Sequence, residues 1–402
     1  MKFGIIRERK NPPDRRVVFS PEALQKFQEQ YPLAEIVVER SDIRVFPDSD
    51  YLKAGFEISD DLSGCDVLFG VKEVPVEALI AGKKYFFFSH TIKKQPYNQK
   101  LLRAVLDKKI TLYDHETIVN ANNKRLIGFG RYAGIVGAYN GFRAFGAKYE
   151  LFDLPKAETL PDQQALIDKL RRVTIPNIKI VLTGHGKVAN GALEMIDAMR
   201  IKRVGVEDFL NKTYSSPVYC QIDVLDYNRR IDGALGTKAD FYSHPELFES
   251  DFERFSQVAD MFIAGHFYAT GAPIILSREM LASSKNNIRV VADISCDVDG
   301  PIAATLRAST IAEPFYGYLP STGQEVDMFH PAAIVVMAVD NLPCELPRDA
   351  SEGFGEMFLE HVVPAFFNND RDGILERACI ARNGQLTERF AYLSDYAMGI
   401  TG

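Results

Sequence analysis

A chain of 402 residues with 46% hydrophobic and 25% charged residues has ordinary globular composition and is too long for a single compact core. The formal net charge of −7 and a pI near 5.6 exclude nucleic acid or an anionic membrane surface as the main partner, since neither attracts an acidic protein. No apolar run reaches the roughly 20 residues that cross a bilayer.

The start, Met1-Lys-Phe-Gly-Ile-Ile-Arg7, reads as a strand and not as a signal peptide, with Phe3–Ile6 its apolar stretch. Ser20-Pro21-Glu22 then supplies an N-cap, a proline at the first helical position and an acid in the first turn, with Leu24 and Phe27 on one face. Short apolar strands are predicted at Ile36–Val38, Val67–Val71, Tyr85–Phe88 and Ile110–Leu112. A helix carrying Leu101, Leu102, Val105 and Leu106 on one stripe separates the last two. Such alternation implies parallel strands joined by crossover helices. From Gly128 to Gly146 small residues crowd one segment, at Gly134, Gly137, Ala138, Gly141, Ala144 and Gly146. This marks a helix in close contact with another backbone. After a loop at Asp153–Ala157, a second βαβ unit begins at Ile178. The chain reads as irregular from Asp293 to Gly323, as an apolar helix from about Pro331, and as a last helix from Ser351 to Phe366. Five cysteines, at 65, 220, 296, 344 and 379, have no CxxC or CxxH spacing. They read as reduced thiols of a cytoplasmic protein, with no metal site.

Ile178–Thr183 is an apolar strand that enters Gly184-His-Gly186-Lys-Val-Ala-Asn-Gly191 and then a helix from Ala192 to Met199. A glycine-rich turn between strand and helix lets a pyrophosphate approach the N–H groups of the helix terminus. The spacing GxGxxxxG departs from GxGxxG, so a purely structural turn is the alternative reading. The next strand is predicted at Arg203–Val206 and ends at Glu207, where an acid suits ribose hydroxyls; an N-cap or solvated acid is the alternative. Glu207 favours NAD, while Lys187 and Lys212 nearby pull toward NADP, so the cofactor reads as NAD or NADP with the choice open.

In the first half, successive strands end in polar groups: Lys72 and Glu73, then His90 and Lys93, then Glu116. Ligands of open α/β sheets bind at the carboxyl ends of the strands, so these groups are expected to share one rim. A lysine and a histidine side by side suit proton transfer near neutral pH, as chemistry at a C–N bond requires. Arg16, between the first strand and its helix, has the planar fork that suits a substrate carboxylate; a surface ion pair with Asp14 is the alternative.

Gly70-Val-Lys72-Glu73-Val-Pro, Phe86-Phe-Phe-Ser-His90-Thr-Ile-Lys93 and Leu112-Tyr-Asp-His-Glu116 resemble the active-site segments of the lysine-forming saccharopine dehydrogenases. They are most similar to the lysine–2-oxoglutarate reductase part of the aminoadipic semialdehyde synthases. Val181–Ala192 resembles the nucleotide loop of that family, and Ala292–Asp297 and Val339–Pro347 its later landmarks; the layout is more distantly similar to alanine dehydrogenase and transhydrogenase. The resemblance implies two Rossmann-like βαβ domains with parallel sheets and an inter-domain cleft. Residues 1–140 with 325–402 would form a discontinuous substrate domain, and 141–324 the dinucleotide domain. It implies NAD(P)-dependent condensation of an amino acid, L-lysine first, with 2-oxoglutarate, or the oxidative reverse. A simple amino-acid dehydrogenase and a non-catalytic nucleotide-binding regulator remain the alternatives. Carried over by position, Lys72 and His90 match the acid–base pair, Glu73 and Glu116 the acids that tune it, and Arg16 and Lys93 the substrate-carboxylate contacts. Gly184, Gly186, Gly191, Glu207 and Asp293 match the cofactor side. His266 departs from the pattern, standing where an apolar residue is expected, and reads as a core histidine or a change in substrate shape.

Overall fold

The computed structural model describes residues 1–269 and 271–400. The chain forms two units, Met1–Phe129 with Pro347–Gly402, and Gly130–Leu346. The boundaries expected at 140 and 325 therefore move to 129 and 346. The glycine-rich helix, Gly130–Lys148, and the strands from Lys179 to Met337 belong to the second unit. Strands of the first unit are β1 (Lys2–Ile5), β2 (Glu35–Glu39), β3 (Glu57–Ser59), β4 (Val67–Phe69), β5 (Lys84–Phe87) and β6 (Thr111–Asp114). The second unit holds β7 (Lys179–Thr183), β8 (Lys202–Arg203), β9 (Val218–Ile222), β10 (Asn228–Arg230), β11 (Phe248–Ser250), β12 (Met261–Ala264), β13 (Val290–Asp293), β14 (Phe315–Leu319), β15 (Gln324–Val326) and β16 (Ile334–Met337). The chain then returns to the first sheet as β17 (Cys379–Arg382) and β18 (Gln385–Leu386).

The first unit is an eight-stranded sheet in the order β18-β17-β6-β5-β4-β1-β2-β3, parallel from β6 to β3 and extended by antiparallel β17 and β18. The helix Pro21–Gln30 starts where Ser20 accepts from the N–H of Ala23, so the sequence signal for a cap is a real hydrogen bond. One face of the sheet is covered by aromatics: Phe19 and Phe69 meet Phe358 of the helix Pro347–His361 edge-on at 5.4 and 5.3 Å. Edge-to-face pairing sets the positive ring edge on the negative face and adds to the apolar area buried. That aromatic layer anchors the strands whose ends carry the polar residues.

The second unit is also eight-stranded, in the order β15-β14-β16-β13-β12-β7-β9-β8, with antiparallel β14 and β15 at one side, and β10 and β11 form a separate two-stranded sheet. Together the sheets make a mixed α/β fold of two Rossmann-like domains. Gly134 and Gly191 let the helices Gly130–Lys148 and Lys187–Ala198 touch backbone to backbone. A Cβ on Gly134 would meet the Val188 carbonyl oxygen at 1.9 Å, and one on Gly191 that of Arg131 at 1.9 Å. The predicted helix from Pro331 is a correction: Ile334–Met337 is the buried strand β16, parallel to β13. A short apolar run rich in Val and Ile suits a strand covered on both faces, and its periodicity alone does not separate the two states. Among the described residues no helix is long and apolar enough to cross a membrane.

Candidate active site

In the first unit the strands β1, β4, β5 and β6 run parallel, so the residues following them share one edge of the sheet. His90 follows β5 with a left-handed backbone, φ 52° and ψ 13°. That conformation is rare for a side chain with a Cβ and recurs where the surroundings over-determine geometry at a functional site. Its Nδ1 lies 2.5 Å from Oε1 of Glu73, which follows β4, and the second oxygen of Glu73 lies 3.5 Å from Lys10 Nζ. Burial works to raise the Glu73 carboxyl, but the bond to His90, its own backbone N–H, the charge of His90 and Lys10 hold it at about 2. Glu73 is therefore a fixed anion that orients the imidazole. Glu116, after β6, pairs with Lys93 Nζ at 3.1 Å and with Arg125 Nη2 at 3.2 Å. Burial again works upward, and the two cations outweigh it, so Glu116 also stays low.

Lys72 is half-buried, and its ammonium lies within electrostatic reach of Asp14, whose charge it helps to stabilise. Its backbone is fixed by a residue the sequence did not single out. Glu8, 8% exposed, accepts from the N–H groups of Val71 at 2.7 Å and Lys72 at 2.8 Å. Burial, with Asp14 adding, pushes its carboxyl up to about 8, against the pull of those two N–H bonds and of Arg16. His115, fully buried, holds the preceding turn with Nε2 2.8 Å from the Gly70 carbonyl, and burial lowers its pKa to about 3, so it is the neutral donor of that bond. Asp114 accepts from the N–H of Ser89 at 2.8 Å and that of Glu116 at 2.7 Å, tying the ends of β5 and β6 together. The signal for these supports was the position of an acid or histidine directly at a strand end, next to the residues already chosen.

Arg16 forms the ion pair with Asp14, inside the first unit. It is 3% exposed, donates from Nε at 3.0 Å and Nη2 at 2.7 Å to Asp14, and stacks over Phe129 at 4.3 Å. Burial disfavours the Asp14 charge, yet Arg16 holds that carboxyl far below its usual range. The pair with Asp14 is therefore buried and not at the surface, and it lies within electrostatic reach of Lys72 and Glu8.

In the second unit the strand ends of β7, β9, β12 and β13 share one edge. Gly184 has φ +93° and abuts Gly265, whose carbonyl oxygen would lie 2.7 Å from an added Cβ. A Cβ on Gly186 would meet nothing within 4 Å, and the helix Lys187–Ala198 starts from Gly186 with no side-chain cap. An open main-chain turn at an uncapped helix start fits a pyrophosphate, so the residues present suit a dinucleotide. Gly191 is different in kind: it serves helix packing, and its Cα is committed to Arg131 rather than to the loop.

Glu207 is displaced from its expected place. β8 is the edge strand, separated from β7 by β9, and Glu207 is exposed on the short helix Val206–Asn211, accepting from Asn211 Nδ2 at 3.3 Å. The strand beside β7 is β9, whose end carries Asp223, and Asp223 takes the position expected of the ribose-binding acid. It is ion-paired with Lys238; burial raises its carboxyl, but Lys238 and the Val224 N–H bring it below the usual value. Gln221, on the same strand, donates to the Gly184 carbonyl at 2.9 Å. The apolar run Val218–Ile222 ending in an acid was the available signal; sequence neighbours were taken for sheet neighbours.

Asp293 is fully buried and accepts from Ser295 N and Oγ, Cys296 N and Thr305 Oγ1, between 2.6 and 3.2 Å, so it organises the loop that follows β13. Burial raises its pKa. His266 is a buried histidine with Nδ1 2.7 Å from Thr183 Oγ1, pushed down to about 4 by burial.

The two sheets, one with charged side chains after its strands and one with a glycine turn, share the two-domain fold of alanine dehydrogenase. Residues 4–136 match the family described as alanine dehydrogenase/PNT, N-terminal domain. The chain is 30% identical over 435 residues to the alpha-aminoadipic semialdehyde synthase of Arabidopsis thaliana, covering 97% of this chain and 41% of that protein. It is 23% identical to the saccharopine dehydrogenase [NAD(+), L-lysine-forming] of Yarrowia lipolytica, covering 89% of this chain and 90% of that one. An L-alanine dehydrogenase structure superposes with a TM-score of 0.65 at 18% identity over 100% of both chains, which shows the fold. Along most of its length the chain is thus similar to aminoadipic semialdehyde synthases and saccharopine dehydrogenases, and over residues 4–136 to the alanine dehydrogenase/PNT N-terminal domain. It spans less than half the length of the semialdehyde synthases it matches.

Proposed function

We propose that the chain catalyses the NAD(P)-linked reductive condensation of an amino acid, L-lysine first, with 2-oxoglutarate to saccharopine, or the oxidative reverse. The observation that carries this reading is the Glu73–His90 pair beside Lys72 on one strand edge, in a chain whose relatives are named for that chemistry. A bound NAD(P) supplies or removes the hydride at the C–N bond. Gly184 and Gly186 hold its pyrophosphate, and Asp223 its ribose hydroxyls. His90, oriented by Glu73, and Lys72, seated by Glu8, exchange protons with the amine and with the carbinol oxygen as water leaves. Both residue types change protonation within reach of neutral pH when their surroundings assist. Lys93, half exposed and tethered to Glu116, receives a substrate carboxylate. The five cysteines are unpaired thiols, which supports placing the enzyme in the cytoplasm.

The test is a matrix of amino acids against 2-oxo acids, each with NADH and NADPH, read by cofactor absorbance. Turnover that requires both L-lysine and 2-oxoglutarate supports the reading. Oxidation with pyruvate and ammonium alone would replace it with a simple amino-acid dehydrogenase.

A further inference from the structure

A cavity of about 390 Å³ opens in the first unit behind Glu73, away from His90. Its wall is apolar, from Val74, Pro75 and Leu101, and its charged lining is mostly cationic, with Arg9, Lys10 and Lys100 against one acid, Glu73. Lys100 is exposed and makes no ion pair among the described residues. Asn98 also lines the cavity. It is 5% exposed, and its amide nitrogen is buried with no hydrogen-bond partner. A buried N–H donor left unsatisfied is costly, and native structures rarely tolerate one without an occupant to accept from it. An apolar wall, two ammonium groups and an unused amide donor together match a small molecule with an aliphatic body and one acidic end.

We propose that this cavity is a binding site for a small aliphatic carboxylate, and that its occupation is felt by Glu73. The link is Lys10, 3.5 Å from the Glu73 oxygen that His90 does not use. A carboxylate in the cavity competes for Lys10, leaving Glu73 less neutralised and changing the anion that orients His90. Inorganic phosphate shares the charge but has no use for the apolar wall, so the carboxylate is favoured over the bare anion. The binding part stands without the proposed reaction; only the effect on turnover rests on that reading.

The experiment is calorimetric titration of the whole protein with sodium hexanoate, with inorganic phosphate in a parallel arm. Saturable hexanoate binding is expected, weakened about tenfold or more in Lys100→Met and in Asn98→Leu, a loss of about 1.4 kcal/mol or more. Lys100 is exposed, so its variant separates loss of binding from loss of fold. Absence of saturable hexanoate binding, equal affinity in Lys100→Met, or phosphate binding as tightly as hexanoate would each overturn the site. For the link, hexanoate should change turnover of the wild type and leave Lys10→Met unaffected. An equal hexanoate effect in Lys10→Met would break it. Failure of the condensation assay itself would remove the proposed reaction while leaving the titration decisive for the cavity.

Discussion

The two sheets present their polar strand ends in opposite ways. In the first unit charged side chains face one another, as Glu73 with His90, Glu116 with Lys93 and Arg125, and Asp14 with Arg16. In the second, Asp293 turns to its own loop and His266 to Thr183, Asp223 pairs with Lys238, and the main chain is displayed at Gly186. Side chains that hold charge at fixed distances can move protons. A bare backbone turn with its helix N–H groups can hold an anion and do little else. On the proposed reading, the same α/β architecture separates chemistry from cofactor binding by what each edge exposes.

The division is open to attack at several points. After Lys72, the largest effect is expected from His90→Asn, which should lower kcat by about a hundredfold or more while leaving the dinucleotide Kd unchanged. A variant that lost cofactor affinity instead would erase the distinction between the two edges. Gly186→Val should do the reverse. The Gly186 backbone has φ −84° and ψ −170°, which valine adopts, and the added Cβ meets no protein atom, so the fold should hold. Dinucleotide Kd should rise about tenfold or more, measured by fluorescence titration. A smaller and pH-dependent effect is expected at Glu8. Its folded pKa of about 8 lies above the ordinary glutamate value of 4.5, so the folded state binds the extra proton between those values. Its contribution to stability is present below 4.5 and is lost as pH rises through 8. Chemical denaturation of wild type against Glu8→Gln should show the variant with a flatter pH dependence in that window; parallel curves would mean that Glu8 does not titrate there. The smallest effect separates two acids: Asp223→Asn should raise the cofactor KM several-fold, up to about tenfold, whereas Glu207→Gln should leave it unaltered. The opposite ranking would restore Glu207 to the ribose position.

What was legible in the sequence follows the same division. The rim of the first unit could be read because each of its residues directly follows a short apolar strand, and parallel strands place such residues on one edge without further information. The second unit was read less well because its strand order is not its sequence order. The helix Val206–Asn211 and the edge strand β8 intervene before β9 takes the place beside β7, which moved the ribose position from Glu207 to Asp223. Burial was the other hidden quantity. Nothing in the segment Asp14-Arg-Arg16 distinguishes a buried ion pair from a surface one; the ring of Phe129, more than a hundred residues on, helps to bury it. Likewise β16 and the returning strands β17 and β18 owe their state to the neighbours they join, which local periodicity does not encode.

The central claim is that Lys72 acts on protons at the first edge and has no part in holding the dinucleotide. Its direct test is Lys72→Met, assayed for turnover of L-lysine with 2-oxoglutarate and, on the same preparation, for NADH and NADPH binding. The account requires turnover to fall by about a thousandfold, within the range of acid–base variants, with cofactor affinity within about twofold of wild type. Near-full turnover in the methionine variant would contradict it.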